Sequence, residues 1–286
     1  MTARAALPAA AALAVWVCAA AQAAPAAPAA PAAGGERAAN VLGPESSAAE
    51  ILRSCRAMLP PKPVLLRGRI VRRNRKGIPS REYAYSLLMD RSSDPARIEA
   101  KIYPKDGGQE ILSVRVTRPE GGQATVETVA PGGATERPPV TGTVLGTDVT
   151  WLDFTLDFLW WPDARFDAER TGETVHGQEC LTIIARPAAP QAGVDAVRLW
   201  ADRKTGCMMQ AEQLASDGKG GFKTVRRLWG TRLKKFPGHE TAPGGRRIET
   251  KRWMASAIEV QRAGGIHRTK ITIESIDDEP SGPEGR

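Results

Sequence analysis

This chain of 286 residues has little of what most catalytic sites are made from. Its three histidines, His176, His239 and His267, show no ligand spacing between any two, and its four cysteines form no Cys-x-x-Cys pair. Neither a zinc site nor a dithiol redox centre is supported. A Gly-x-Ser-x-Gly elbow, a Walker-type phosphate loop and a Gly-x-Gly-x-x-Gly turn after a strand are also missing, which removes the patterns of hydrolases, P-loop enzymes and dinucleotide enzymes. No twenty-residue apolar run occurs after the leader, so no spanning helix is expected there. The expectation is a protein that is not an enzyme, with no catalytic residue, no metal and no cofactor.

The first residues carry an address. Arg4 precedes an apolar, Ala-rich stretch from Ala5 to Ala20, and Ala21-Gln22-Ala23 then offers a small-residue cleavage site. Residues 1–23 are therefore read as a signal peptide cleaved near Ala23, and the mature chain is expected in the periplasm. Cys18 raises lipid anchoring in the cell envelope as the alternative, but Val15-Trp16-Val17 lacks the small residue that lipoprotein processing needs. Residues 24–45 repeat Ala and Pro and favour an extended tether. Residues 46–278 are globular in composition, and 279–286 read as a flexible tail. Cys55, Cys180 and Cys207 remain after cleavage, allow at most one disulfide, and read best as small buried residues.

Periodicity in the domain is that of a meander. Ala48 to Leu59 forms a helix with Ile51, Leu52, Cys55, Met58 and Leu59 on one face, ended by Pro60-Pro61. Strands are predicted over 64–73, 82–90, 97–103, 110–118 and 124–129, then over 178–186, 196–202, 208–215, 222–228, 247–259 and 267–276. Asn74 to Gly77, Asp202 to Gly206 and Asp217-Gly218 supply hairpin turns. About ten strands and two or three helices without βαβ alternation give an α+β fold on an antiparallel sheet.

Aromatic residues make up only 5% of the chain, yet three of the seven tryptophans and two of the five phenylalanines fall between Trp151 and Trp161. Trp151, Phe154, Phe158 and Trp161 recur at helical spacing, so a helix capped by Thr147 or Asp148 and stopped by Pro162 is predicted, with Asp153 and Asp157 facing solvent. Such a helix either plugs a core or lines an apolar cavity whose contents come and go. Arginine dominates the net charge of +8. It crowds the first hairpin and the C-terminal third, where it reads as solvated strand faces or as a contact for anionic headgroups or an acidic partner. No nucleic-acid motif accompanies the charge, and nucleic acid is not an expected partner.

The order of helix, antiparallel strands, the Val144 to Phe154 segment, Gly177-Gln-Glu-Cys180, Val197 to Asp202, Lys204-Thr-Gly206 and Ser216-Asp-Gly-Lys219 resembles the LolA-like outer-membrane lipoprotein-sorting proteins, from about Ala48 to Ile276. The resemblance implies a strongly curved antiparallel sheet, an open half-barrel, wrapped around a few helices. It also implies an apolar cavity for the acyl chains of lipids or lipoproteins and transient contact with a membrane surface. Trp151, Phe154, Phe158 and Trp161 are the candidate cavity residues. Trp200 is a weaker one, because its strand face of Ala196, Arg198, Trp200 and Asp202 is polar at both ends and also reads as half-exposed packing. Arg67 or Arg69 is the candidate for a headgroup or lid contact. A sensing or interaction module that binds an envelope protein partner stays open beside the carrier.

Overall fold

Strand β1 (Val64–Arg73) buries Val64, Leu66 and Ile70 and exposes Arg67 and Arg69, the two-residue period of a strand with one wet face. The computed structural model describes residues 42, 45–60, 62–91, 96–119, 123–170, 172–241 and 247–277, without the side chains of 233 and 237–254. The predicted leader 1–23, nearly all of the tether 24–45, the tail 279–286 and residues 242–246 lie outside the described residues. At the first hairpin tip the Asn74 side-chain oxygen accepts from the backbone N–H groups of Lys76 (2.9 Å) and Ile78 (3.0 Å), which closes the turn into β2 (Pro79–Asp90). Strands β3 (Ala96–Pro104), β4 (Leu112–Arg118), β5 (Thr125–Val129) and the short β6 (Thr135–Glu136) continue the meander.

A second meander contains β9 (Gln178–Arg186), β10 (Ala196–Asp202), β11 (Met208–Ser216), β12 (Phe222–Thr241), β13 (Arg247–Arg262) and β14 (Arg268–Asp277). It is joined to the first by the antiparallel pairing of β14 with β1. Two short strands, β7 (Asp163–Phe166) and β8 (Thr174–Val175), both pair with β9. The result is a 14-stranded antiparallel sheet in the order β6-β5-β4-β3-β2-β1-β14-β13-β12-β11-β10-β9-β7, with β8 off that path. The sheet is not closed. It exceeds the eleven predicted strand ranges by the short β6, β7 and β8, and β12 and β13 run longer than expected. The two pair with each other from Arg226↔Arg262 to Thr241↔Arg247, and register shifts between Gly230 and Leu233 let the ladder continue past the irregularity.

Residues from strands far apart in that order share one core. Val116 and Val126 from one side and Ile183 and Leu199 from the other belong to the same buried cluster, together with the helix α1 (Ala48–Ala57), so the sheet must curve around its contents. A capping box between Ser47 and Glu50 starts α1, which buries Ile51, Leu52 and Cys55. Its far side touches the Asp202–Gly206 turn closely: a Cβ on Gly206, whose φ is +69°, would lie 1.8 Å from the Ser54 hydroxyl oxygen. Among the described residues, no helix is long and apolar enough to cross a membrane.

Candidate functional site

The aromatic run is held inside the curve of the sheet. Val144 N–H donates to the Val149 carbonyl (2.8 Å), and Thr143 bridges to Thr150, so the chain doubles back before the helix begins. Thr150, rather than Thr147 or Asp148, is the cap. Its hydroxyl accepts from Asp153 N–H while an Asp153 carboxylate oxygen accepts from Thr150 N–H at 2.8 Å. The helix α2 (Trp151–Thr155) then stops at Leu156, which has a left-handed φ of 54°, and a 3-10 turn follows over Asp157–Trp160. The predicted single helix to Trp161 is therefore broken. A straight helix would place Asp153 and Asp157, four apart, on one side. The break instead sends them to different walls, Asp153 to β11 and β12 and Asp157 to β4.

Trp151, Phe154, Phe158 and Trp161 are all buried, Phe158 completely, and all belong to the central cluster. Phe154 meets Tyr85 edge-on at 5.7 Å and Trp151 at 6.4 Å. Tyr85 can lie flat across β1 because residue 68 is glycine: a Cβ there would stand 1.7 Å from the Thr272 carbonyl oxygen, which accepts the Tyr85 hydroxyl at 3.2 Å. The rings thus fill the concave face. At their edge a cleft of about 10 Å³, room for roughly one water, opens between Arg91, Ile98, Val116, Arg118, Thr155 and Asp157.

Polar contacts fasten this aromatic plug, residues 140–161, to the sheet on which it sits. Arg81 on β2 donates to the Leu145 carbonyl at 2.6 Å. Asp148 accepts from the Thr269 hydroxyl of β14 at 2.9 Å and lies 3.6 Å from Arg72. Asp153 accepts from the Gln213 amide of β11 at 2.7 Å and lies 3.8 Å from Arg226. Asp157 lies 3.8 Å from Arg118 on β4. Asp153 and Asp157 are thus 3% and 4% exposed, which corrects the expectation of two solvated carboxylates. Burial raises the pKa of both above the usual carboxylate range, opposed by the charge of Arg226 on Asp153 and of Arg118 on Asp157.

Two candidates from the sequence stand elsewhere. Trp200 is buried, not half-exposed, but on the convex face: it shares that face with Arg198, while its neighbours Leu199 and Ala201 point to the aromatic core. The chain between β7 and β9 covers it, and its indole N–H donates to Glu173 at 2.6 Å. Arg198 beside it binds Asp167 (2.5 Å) and Glu212 (3.3 Å). This cover, absent from the strand pattern, is why a polar-flanked strand is buried along its whole length. Arg67 and Arg69 also point away from the plug. Arg67 is exposed, and Arg69 pairs with Glu82 (3.3 Å) and Glu274 (3.0 Å) across the outer face, so neither holds a lid. Arg81, Arg72, Arg118 and Arg226 occupy the side that Arg67 and Arg69 were expected to reach. None of Cys55, Cys180 and Cys207 is held in a disulfide, and burial pushes Cys55 up to about 12. Among the described residues no group of three or more His, Cys, Asp or Glu could hold a metal ion.

The fold has known counterparts. A DUF1329 family protein from Desulfovibrio piger superposes with a TM-score of 0.61 at 12% identity, covering 83% of this chain and 94% of that one. A domain assigned as an outer-membrane lipoprotein-sorting protein from Vibrio parahaemolyticus gives 0.61 at 14% identity, with the same coverages of 83% and 94%. A LolA superfamily protein from Nitrosomonas europaea gives 0.58 at 10% identity, covering 81% of this chain and 93% of that one. No protein-family model and no curated protein matches the sequence. The likeness at these identities is one of fold: the chain has the open, curved antiparallel sheet of the LolA-like proteins, as its sequence order implied.

Proposed function

We propose that this chain is an exported carrier that binds the acyl chains of lipids or lipoproteins in the periplasm, beneath its aromatic plug. The observation that supports this most is the way the concave face is filled. A five-residue helix and a 3-10 turn, rather than a strand or a long helix, cover an apolar sheet surface, and side-chain contacts at the rim fasten them. Such a cover has little secondary structure to lose on moving. Acyl chains then take its place against Tyr85, Leu87, Ile102 and Val114, with Trp151, Phe154, Phe158 and Trp161 forming the other wall. Each methylene transferred out of water contributes about 0.8 kcal/mol, so a chain of twelve carbons gains on the order of ten kcal/mol before the cost of moving the plug. No step of this reading needs a catalytic group.

Native mass spectrometry of the full chain purified from its own envelope is the test, paired with titration of a fluorescent fatty acid. A co-purified lipid and saturable binding are expected. A stoichiometric protein with no lipid, together with no fatty-acid binding, would overturn the carrier and favour the partner-binding module.

A further inference from the structure

Among the described residues, the cleft at the edge of the plug has two arginines and one carboxylate in its lining. Arg91 and Arg118 line it, Arg91 donates to the Arg56 carbonyl at 3.1 Å, and among the described residues Asp157 is the carboxylate that faces them. Arg118 has a side chain only 10% exposed, and its Nη1 is buried with no hydrogen-bond partner. A guanidinium nitrogen stripped of water and given no acceptor is costly, and a buried donor of this kind is ordinarily satisfied. Its charge is nonetheless retained: burial lowers the pKa of Arg118 to about 10, with the nearby arginines pulling the same way, which leaves it protonated at neutral pH. Trp160 contacts both cations, its ring centre 3.4 Å from the Arg118 guanidinium carbon and 4.9 Å from that of Arg91, and both arginines line the same cleft. Ala96, Ile98 and Val116 give the same cleft an apolar wall.

We infer that this cleft is the headgroup subsite of the carrier, where Arg91 and Arg118 bind the oxyanion of an amphiphile, a carboxylate or a phosphate, while its chain runs from Ile98 and Val116 in beneath the plug. The inference rests on the carrier reading. Paired guanidinium forks match the geometry of a carboxylate or phosphate, and the neighbouring apolar wall selects an anion that carries a hydrocarbon chain. The same anion competes with Asp157 for Arg118, so filling the subsite weakens one attachment of the plug.

Calorimetric titration of the full chain with dodecyl phosphate, dodecanoate, dodecyl maltoside and inorganic phosphate separates the cases. The two anionic amphiphiles are expected to bind about tenfold or more tighter than the maltoside, because a hydrogen bond to a charged group is worth roughly 1.5 to 3 kcal/mol, with inorganic phosphate much weaker. Arg91→Gln, at a half-exposed position, should erase most of that preference while leaving maltoside affinity unchanged, and Arg118→Lys should weaken the preference in a chain that keeps its buried charge. Equal wild-type affinity for maltoside and dodecyl phosphate, or a preference that survives Arg91→Gln, overturns the subsite and leaves the carrier standing. Inorganic phosphate binding as tightly as dodecyl phosphate makes the site one for a free anion and overturns it as well. Binding of none of the alkyl ligands overturns subsite and carrier together.

Discussion

The two faces of the sheet bury charge and tryptophan in opposite ways. On the convex face the network around Arg198 and Trp200 is matched at short range: Arg198 meets Asp167 and Glu212, Glu212 also accepts from Arg227 (2.8 Å) and Thr224 (3.0 Å), and Trp200 donates to Glu173, while Thr182 Oγ1 and Arg186 Nε beside it are buried without a partner. On the concave face the ion pairs are long, 3.6 Å for Arg72 and Asp148 and 3.8 Å for Arg226 and Asp153, beyond hydrogen-bond range. The arginines there keep spare donors, with Arg72 Nε, Arg118 Nη1, and Arg226 Nε and Nη1 buried and unpartnered. A saturated network fixes its cover permanently. An unsaturated one holds a cover that can be exchanged for something else.

The largest effect is expected on the saturated side. Arg198→Met leaves Asp167 buried without its cation and takes from Glu212 one of its two, the other being Arg227, and should cost about 3 to 5 kcal/mol in a denaturant titration, since breaking a buried ion pair strands the remaining charge. Ligand affinity of the folded fraction should be unchanged, and loss of binding at full folding would dissolve the contrast between the faces. On the plug, Phe154→Ser combined with Phe158→Ser should reduce fatty-acid affinity well over tenfold, each buried ring being worth about 1.5 to 3 kcal/mol. A double variant that unfolds makes the rings ordinary core, and one that folds and binds normally moves the ligand elsewhere.

A smaller change separates plug from core. Gln213→Ala removes one attachment of Asp153 and should cost about 1 to 2 kcal/mol globally, while amides near 151–155 lose protection from hydrogen exchange before those of β10 do. Uniform loss of protection would tie the plug to the sheet as one unit. The smallest effect concerns pH. The folded pKa values of Asp153 and Asp157 lie above the unfolded carboxylate value near 4, so the folded state binds more protons in the interval between them, and these groups lower stability as pH rises through it. Relative to Asp153→Asn, the wild type should therefore gain stability as the pH falls through that interval. The opposite slope in urea midpoints would mean that the pairing with Arg226 outweighs burial.

The sheet was legible because strand alternation is local. The bounds of β9 and β10 follow directly from the apolar rows and the Asp202–Gly206 turn, and the order of elements pointed to the LolA-like fold. The plug was legible in composition but not in geometry. Helical spacing from Trp151 to Trp161 is real, yet Leu156 leaves the helix because Asp153 and Asp157 have partners on walls separated by most of the sheet, and such partners are set by tertiary structure. Their signal lay elsewhere in the sequence: Gln213 interrupts an apolar row after Ala211, and Thr269 begins one that continues with Ile271 and Ile273. A polar residue in a core-facing row marks a buried partner. Trp200 escaped for the converse reason, because its cover comes from the irregular chain between β7 and β9, where periodicity carries no information.

Hydrogen exchange followed by mass spectrometry, on the full chain with and without dodecyl phosphate, tests the exchangeable plug most directly. Amides of 151–160 are expected to exchange through local opening, well below the free energy of global unfolding, and to change their protection on ligand binding while β9, β10 and β11 stay as they were. If residues 151–160 exchange only when the whole sheet unfolds, and saturating ligand leaves them untouched, the aromatic segment is a permanent core and the proposed site on the concave face is contradicted.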